Sequence, residues 1–352
     1  MGITSKLAKY NHEAYRLGHF PSLRSLFTGK KIYAYYGYLG DGNFGDELVY
    51  ESAKQLFEPN ILLPVKRFMP LHLAAFAHAC KGRFSGAVIG GGTLIGASLY
   101  LGSFFEDLIE LNKPVYLHGT GVSNLSAWNA GWKRLLAGRL YGGVRGPLSA
   151  GNVAEFKEGI RVAGDAAFLL FREEDATSSA AERKSILINF GTHFGYDKEE
   201  ESRSAVCEFV AASIEQGADV RFMPCHWVDV DLGLELQQSY PSITLLDIPR
   251  TYAEACTHFR KAAFAIGERL HFTAMAVMSG CPFLSVNYAT KHQDMLSSVG
   301  LFGSGVMPKE LSAAKIQAAF EARGSFDWDS VFHRIAELKW YQEKEAAAFS
   351  AL

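Results

Sequence analysis

Residues 263–291 contain a short strand, a helix and a second strand, and this order constrains the fold more than any other feature of the chain. Ala263–Ile266 is an apolar run typical of a buried strand, and Phe272–Met278 continue a helix that a glycine and a proline then end. Phe283–Val286 is typical of the next strand. Such a unit predicts a parallel sheet, and parallel sheets of this kind bind ligands outside the carboxyl ends of their strands.

Three residues that could bind an anion lie at this predicted edge. Arg269 and His271 fall at the start of the helix, where N–H groups and the helix dipole favour a negative charge. Lys291 lies just past the second strand. Taken singly, the three could be a surface arginine, a core histidine and a solvated lysine. Their placement together predicts an anion-binding site that also contains an acid or base.

Strand and helix alternate along the rest of the chain, on both sides of a polar segment at 172–184. This repetition predicts an α/β fold with two doubly wound parallel-sheet domains that face each other. The predicted order is a basic N-terminal extension at 1–30, a first domain at 31–171, a linker at 172–184, a second domain at 185–310 and C-terminal helices at 311–352.

A glycine-rich segment, residues 40–47, follows the first predicted strand. It matches neither the dinucleotide-binding glycine pattern nor the P-loop. Asp46 and Glu47 at the start of the next helix would repel a phosphate and suit neutral hydroxyls, and Asn43 can hydrogen-bond a ligand. Capping of the helix by Asp46 is an equal alternative.

Other strand ends carry further candidates. The triple glycine at 90–92 predicts close approach either of a ligand or of a packed helix. Arg145 ends a strand of the first half and is expected to point into the same crevice. His226 and Asp229 end a strand of the second half, but could equally be loop residues. Glu268 is interpreted as a residue that orients its neighbour, Arg269.

Composition excludes several classes of protein. The chain has 352 residues, 48% hydrophobic and 20% charged, with a net charge of −2, which is typical of a globular protein without a general attraction to nucleic acid. Its five cysteines form no CxxC pair, which favours a reducing compartment over a disulfide framework or a zinc site. No apolar run has the length of a signal peptide or a membrane span, so a cytoplasmic protein is expected.

The first thirty-one residues are strongly basic. Six cations and one acid alternate there with aromatic and aliphatic residues at roughly helical spacing. One interpretation is peripheral contact with an anionic membrane on its inner face. A helix packed on its own domain, with a solvated basic face, is an equally good interpretation.

These motifs resemble those of the polysaccharide pyruvyl transferase family, over about residues 32–305. The resemblance rests on GNFGDELV at 42–49, the triple glycine at 90–92, GTGVS at 119–123, VRGPLS at 144–149, AGDAAFLL at 163–170, and above all RLH at 269–271 followed by NYATK at 287–291. The chain departs from the family pattern at Gly146, where an acid is usual, and at Ala166, where a proline is usual.

The resemblance implies two Rossmann-like domains of the glycosyltransferase B type. Cations gather in the second half, whereas Asp46 and Glu47 make the start of the first helix a poor anion site, so we expect the acceptor on the first domain and the donor on the second. It implies an enzyme that transfers pyruvate from phosphoenolpyruvate to a sugar of a cell-surface polysaccharide or its lipid-linked precursor, forming a ketal. The expected catalytic residues are His271, Arg269 and Lys291. The expected donor-binding residues are Arg145, Gly267, Arg269, Leu270, His271, Tyr288 and Lys291, and the expected acceptor-binding residues are Asn43, Asp46, Gly91, Gly92 and Thr120.

The expected partners are phosphoenolpyruvate and a sugar acceptor on a lipid-linked oligosaccharide, with no metal or other cofactor and no nucleic acid. Two alternatives stay open at this point. One is a nucleotide-sugar-dependent glycosyltransferase of the same fold, whose cations would hold a diphosphate. The other is a scaffold for glycan assembly that binds without turnover.

Overall fold

The structure is a computed structural model, and its described residues are 28–39, 42–65, 81–96, 112–123, 130–154, 156–176, 183–191 and 195–352. The basic segment at 1–30 lies outside the described residues except for its last three, so both interpretations of it stay predictions. Among the described residues, no helix combines the length and apolar character that crossing a lipid bilayer requires.

The first half of the chain alternates strands with helices, as predicted. Its strands are β1 (Ile32–Tyr36), β2 (Ile61–Pro64), β3 (Phe84–Gly90), β4 (Thr93–Ile95), β5 (Val115–Val122) and β6 (Leu140–Val144). Its helices are α1 (Phe44–Phe57), α2 (Ala130–Ala137), α3 (Pro147–Ala154) and the short α4 (Glu173–Ala176), with 3-10 turns at Lys81–Arg83 and Ala166–Leu170. The α4 helix lies inside the predicted linker.

The second half repeats the pattern. Its strands are β7 (Ser185–Asn189), β8 (Asp219–Phe222), β9 (Thr244–Leu245), β10 (Ala262–Gly267), β11 (Phe283–Val286) and β12 (Gly305–Val306). Its helices are α5 (Gly195–Lys198), α6 (Glu200–Glu215), α7 (Asp229–Ser239), α8 (Tyr252–Phe259), α9 (Leu270–Met278), α10 (Thr290–Ser298), α11 (Ala313–Glu321) and α12 (Trp328–Ser350), with 3-10 turns at Pro308–Glu310 and Ala322–Gly324.

The strands form two parallel sheets. The first has the order β2-β1-β3-β5-β4, with β6 also paired to β5, and the second has the order β12-β11-β10-β7-β8-β9. In the second sheet the chain runs outward from β7 to β9 and then returns to the other side of β7 as β10. The carboxyl ends of β7 and β10 are therefore the switch point of this sheet, where ligands of doubly wound folds bind. By the same argument, β1 and β3 form the switch point of the first sheet.

Contacts within the chain divide it into two compact units. The N-terminal unit contains the described parts of 28–39 and 48–169 together with 335–352, and the C-terminal unit contains 42–47 and the described parts of 170–334. Two assignments differ from the predicted domain order. The start of α1 groups with the second half of the chain, and the end of α12 groups with the first half, where the Tyr116 hydroxyl donates to Gln342 O at 2.9 Å.

Each unit has its own apolar core. Side chains of β1, β3 and β5 form one with α2, and side chains of β7, β8 and β10 form the other with α6. Arg183, in the predicted linker, donates to the carbonyl oxygens of Gly280 at 2.6 Å and Ser279 at 3.0 Å. These bonds satisfy carbonyls that the end of α9 leaves without helical partners, and a cation there also suits the helix dipole.

Candidate functional site

The switch point of the second sheet is organised by Asn189, the last residue of β7. It pairs with Gly267 of β10, and its carbonyl oxygen accepts from Glu268 N at 3.0 Å. Its side-chain oxygen accepts from Arg269 N at 3.1 Å, and its amide donates to Met223 O at 2.8 Å. Asn189 thus fixes the turn from β10 into α9 and sets where the side chain of Arg269 begins.

Arg269 is held by a buried carboxylate. Its Nε donates to Asp229 Oδ2 at 3.1 Å, and its Nη2 donates to Asp229 Oδ1. Asp229 is fully buried and also accepts from His226 N at 3.0 Å and Cys225 N at 3.2 Å. Burial lowers the pKa of Arg269, but the attraction of Asp229 outweighs it and the pKa is raised, so the guanidinium stays charged.

The start of α1 packs on this same region. Asn43 forms an antiparallel bridge with His226, Phe44 N donates to Cys225 O at 2.8 Å, and Trp227 N donates to Gly42 O at 3.2 Å. The Asn43 side chain caps the helix by accepting from Gly45 N at 3.0 Å. The segment Cys225–Asp229 therefore contacts Arg269 through Asp229 and the first turn of α1 through its backbone.

That first turn determines the surroundings of His271. A Cβ added to Gly45 would overlap His271 Nδ1 and lie 2.6 Å from its Cγ, so the imidazole lies directly against the Gly45 backbone. His271 is in the first turn of α9 and is 8% exposed. A glycine is required at position 45 because any side chain would displace the ring.

Glu268 supplies a second buried carboxyl beside Arg269. It accepts from Tyr196 N at 2.6 Å and Gly191 N at 3.2 Å. Burial raises its pKa to about 7, although both N–H groups oppose the shift. Its bonds tie the start of α5 to the end of β10, so its contacts are with the backbone around the site.

The last predicted donor residues lie where β11 leads into α10. The Lys291 ammonium is 4.6 Å from the centre of the Tyr288 ring, a cation–π contact that orients both side chains. Burial raises the pKa of the Tyr288 hydroxyl to about 12, against the opposing charge of Arg269. Tyr288 therefore stays protonated, and Lys291 is the second cation of this region.

The two remaining motif positions at the β10–α9 turn act through packing. Gly267 leaves room for the Phe272 ring, whose Cδ1 would lie 2.6 Å from an added Cβ. Leu270 is buried at the first position of α9, so its contribution to a ligand would be its backbone N–H.

In the N-terminal unit, Arg145 lies at the end of β6 and is buried. Its backbone N donates to Thr120 O at 3.0 Å, and its guanidinium donates to Thr93 Oγ1 at 3.2 Å and Gly92 O at 3.4 Å. Arg145 thus lies with Gly92 and Thr120, which are two of the predicted acceptor residues. Gly91 is packed close to Val49, which an added Cβ would approach to 2.7 Å.

The predicted site residues thus fall into two groups. The first group lies in the N-terminal unit and consists of Arg145, Gly91, Gly92 and Thr120. The second group lies in the C-terminal unit and consists of Asn43, Asp46, Gly267, Arg269, Leu270, His271, Tyr288 and Lys291. Asn43 and Asp46 were expected on the first domain, and the structure groups them with the histidine and the arginine instead. Their acceptor-binding role stays a prediction.

Sequence reasoning did not find the roles of Asn189, Gly45 and His292, and it left Asp229 undecided. The only signal for Asn189 and Asp229 was a polar residue at or just past the end of a predicted strand. Among the described residues, no group of three His, Cys, Asp or Glu side chains is arranged to hold a metal ion. That the reaction needs no metal stays a prediction.

Solved structures with a similar fold include three UDP-GlcNAc 2-epimerases. The enzyme from Methanocaldococcus jannaschii has a TM-score of 0.55 at 11% identity, with 88% of this chain and 99% of that chain covered. The enzyme from Neisseria meningitidis has a TM-score of 0.55 at 11% identity, with 90% and 98% covered, and the putative enzyme from Listeria monocytogenes has 0.56 at 9%, with 88% and 91% covered. These likenesses establish the fold as α/β with two parallel sheets, like that of B-type glycosyltransferases.

A comparison with curated protein sequences finds no match. The family model for polysaccharide pyruvyl transferases, in contrast, matches residues 43–290. That range starts at Asn43, contains the RLH sequence at 269–271 and ends at Thr290. It includes every site residue of the C-terminal unit except Lys291. The chain is an enzyme that belongs to the polysaccharide pyruvyl transferase family.

Proposed function

We propose that this enzyme transfers the pyruvyl group of phosphoenolpyruvate to a sugar of a cell-surface polysaccharide or its lipid-linked precursor, forming a pyruvate ketal. Family membership supports a pyruvyl transferase acting on a polysaccharide. The observation that carries the donor assignment is the pairing of a fixed cation with a buried imidazole. Arg269 is oriented by Asp229, and His271 lies two residues later, in the first turn of α9, with its ring against Gly45.

Phosphoenolpyruvate carries a phosphate and a carboxylate, and the C-terminal unit offers two cations for them. Arg269, which Asp229 orients through Nε and Nη2, supplies a planar guanidinium, the group that binds phosphate and carboxylate in a bidentate manner. Lys291 supplies a point charge at the start of α10. The N–H groups at the starts of α9 and α10 add dipoles of the same sign.

The reaction needs a proton at carbon 3 of the enol. Protonation gives an oxocarbenium-like carbon 2, which a sugar hydroxyl attacks. The carbon–oxygen bond to phosphate then breaks and inorganic phosphate leaves, and a second hydroxyl of the sugar attacks carbon 2 to close the ketal. One of the two hydroxyl protons balances the proton added at carbon 3, and the other leaves with phosphate.

His271 is the proposed general acid. Imidazole is the side chain whose ordinary pKa lies nearest neutral pH, so it can give up and regain a proton in each cycle. His271 is 8% exposed, so little of its ring contacts bulk water. Arg269 lies two residues before it and would hold the donor so that carbon 3 faces the ring.

Asn43 and Asp46 are the proposed acceptor contacts. Asn43 caps α1 and Asp46 lies in its first turn, which packs against His271 through the Gly45 backbone. Carboxylate and amide oxygens accept hydrogen bonds from sugar hydroxyls, and a carboxylate can also take up a hydroxyl proton. Four residues of the N-terminal unit are proposed for substrate binding from their positions at strand ends and from the family resemblance: Arg145, Gly91, Gly92 and Thr120.

The test is a transfer assay on acceptor glycan prepared from cells that lack the protein. The purified enzyme is incubated with phosphoenolpyruvate, or in parallel with nucleotide sugars, and the glycan is examined by mass spectrometry. The expected result is a mass gain of one pyruvate ketal with phosphoenolpyruvate only. A gain of one hexose with a nucleotide sugar would replace the proposal by a glycosyltransferase, and ligand binding without either product would support a scaffold.

A further inference from the structure

His292 is a second histidine beside the proposed donor site, and no motif assigned it a role. It is the third residue of α10 and is fully buried. Its ring meets the Tyr288 ring edge to face, with 5.0 Å between the ring centres. Its position is therefore fixed on one side by a residue that also contacts Lys291.

Both ring nitrogens of His292 meet backbone carbonyl oxygens. Nε2 lies 2.7 Å from Glu268 O, and Nδ1 lies 3.2 Å from Ala289 O. A carbonyl oxygen only accepts hydrogen bonds, and a neutral imidazole carries a single N–H. In a neutral ring one nitrogen lone pair would face an oxygen lone pair inside a buried site. The imidazolium, with an N–H on each nitrogen, satisfies both oxygens.

The two carbonyls belong to the residues that lead into the proposed cations. Glu268 immediately precedes Arg269, and Ala289 lies two residues before Lys291. One end of the ring therefore holds the turn from β10 into α9, and the other holds the turn from β11 into α10. The imidazole bridges the two helix starts from which the anion-binding side chains extend.

We propose that His292 is a positioning residue, an imidazolium whose two N–H groups fix the start of α9 relative to the start of α10. Arg269 and Lys291 are then preorganised to bind an anion with two charged groups. This inference rests on one part of the proposed function, namely that the anion binds between Arg269 and Lys291.

The groups around His292 bear on its charge. Tyr288 faces the ring, and the Glu268 carboxyl, Arg269 and Lys291 are carried by the backbone segments that the ring bridges. The acid of this set, Glu268, favours the imidazolium when it is ionised, and burial raises its pKa to about 7, while Arg269, Lys291 and the dipole at the start of α10 oppose the imidazolium. The two hydrogen bonds to carbonyls are the interactions that only the charged ring makes in full.

The first experiment reads the protonation state directly. Nitrogen NMR of the full-length protein labelled at histidine, with the His292 ring assigned through its backbone, is recorded at pH 7 without ligand. The expected signature is a proton on both ring nitrogens. A spectrum with one bare nitrogen on His292 would overturn the proposal, whatever reaction the enzyme catalyses.

The second experiment measures anion binding with inorganic phosphate as the probe. His292→Gln can donate to only one of the two carbonyls, and we expect its dissociation constant for phosphate to rise about tenfold, the effect of losing one charge-assisted hydrogen bond. The control is His258→Gln on α8, which should bind phosphate as the wild type does. Wild-type phosphate binding by folded His292→Gln would refute the positioning role.

The two proposals fail separately. If no pyruvyl transfer is found, but both ring nitrogens are protonated and phosphate binding weakens in His292→Gln, the positioning role holds and the proposed donor is wrong. If transfer is found but the ring is neutral, the reverse applies. Should His292→Gln fail to fold, the spectrum of the wild-type protein decides.

Discussion

The switch points of the two sheets have the same strand topology but carry different side chains. In the first sheet, Tyr35 of β1 lies across Gly90 of β3, and an added Cβ at Gly90 would lie 2.5 Å from a Tyr35 ring carbon. In the second sheet, the equivalent ends of β7 and β10 carry Asn189, Glu268 and Arg269. One edge is occupied by the chain's own aromatic ring, and the other by charged and polar groups.

The loop that leaves each edge accounts for much of this difference. After β1 the chain reaches Gly42–Glu47, which group with the C-terminal unit and bond through their backbone to Cys225 and Trp227. After β10 the chain turns at once into α9, and Arg269 and His271 stay at the edge. A shared plan of strands and helices therefore does not by itself place a site, because the residues that follow the strands decide which edge carries charged groups.

The strongest test of this contrast replaces one buried histidine in each unit. His271→Gln should lower the rate of ketal formation by about 100- to 10,000-fold, the usual contribution of general acid catalysis. His118→Gln in the N-terminal unit should lower stability and leave the folded fraction active, because His118 hydrogen-bonds Ser52 at 2.9 Å and burial lowers its pKa to about 4. The measurement is the rate of ketal formation at a saturating donor concentration, divided by the amount of folded protein.

Equal losses in both variants would mean that the first sheet also takes part in proton transfer.

The next test removes the charge that orients Arg269. Asp229→Asn leaves a buried guanidinium without its ion pair, a change that typically costs about 3–5 kcal/mol. We expect a higher KM for the donor and a lower thermal midpoint. The matched control is Asp219→Asn, which breaks the exposed Arg221–Asp219 pair and should cost at most about 1 kcal/mol.

If Asp229→Asn and Asp219→Asn have the same donor KM, the Arg269 guanidinium does not need Asp229 for its orientation.

A smaller effect is expected from a single methyl group. Gly45→Ala introduces a Cβ that overlaps His271 Nδ1, so the ring must turn and the turnover number should fall at least about tenfold, since small displacements of a catalytic group have large effects. Gly151→Ala is the control, because nothing lies within 4 Å of its added Cβ and Gly151 is helical. That change should stabilise the protein slightly, by about 0.5–1 kcal/mol.

An undiminished turnover number in Gly45→Ala would show that His271 can move without loss of function.

The last test concerns stability alone, through its dependence on pH. The Glu268 pKa rises from 4.5 in the unfolded chain to about 7 in the folded one. Between these pH values the unfolded chain releases a proton that the folded chain keeps, so the free energy of unfolding falls as pH rises. The total decrease, complete once the pH is above 7, is on the order of 3 kcal/mol. Glu268→Gln should remove this slope, and the exposed Glu208→Gln should not.

Thermal midpoints of the three proteins between pH 5 and 8 give the comparison. Parallel curves for wild type and Glu268→Gln would mean that Glu268 is already ionised in the folded protein at pH 5.

Much of the fold follows from local patterns that the sequence displays. The strand and helix around Arg269 and His271 were predicted from short apolar runs and from the glycine and proline that end the helix, which are signals within a few residues of one another. The two parallel sheets follow from repetition of that unit, and the family resemblance pointed to the same residues.

The site was less predictable because its contacts are distant in sequence. Asp229 lies forty residues before Arg269, and nothing in the intervening chain marks them as an ion pair. The need for glycine at position 45 depends on a ring more than two hundred residues later. The acidic start of α1 suggested a separate acceptor domain, whereas backbone pairing with Cys225 and His226 assigns it to the C-terminal unit.

The pairing of Phe44 with Cys225 also bears on how the enzyme is made. The segment Gly42–Glu47 leaves the ribosome about 180 residues before its hydrogen-bond partner, a delay of roughly ten to forty seconds at ordinary rates of bacterial and eukaryotic synthesis. During that time β1 and most of α1 can join the nascent first sheet while their connecting turn has nowhere to dock. Only after β8 and Cys225–Asp229 emerge can the turn attach, and only after Leu270–Met278 follow can Gly45 meet His271. In a partly synthesised chain His271 therefore has no Gly45 backbone to pack against, and on the proposed function a chain released early would be inactive.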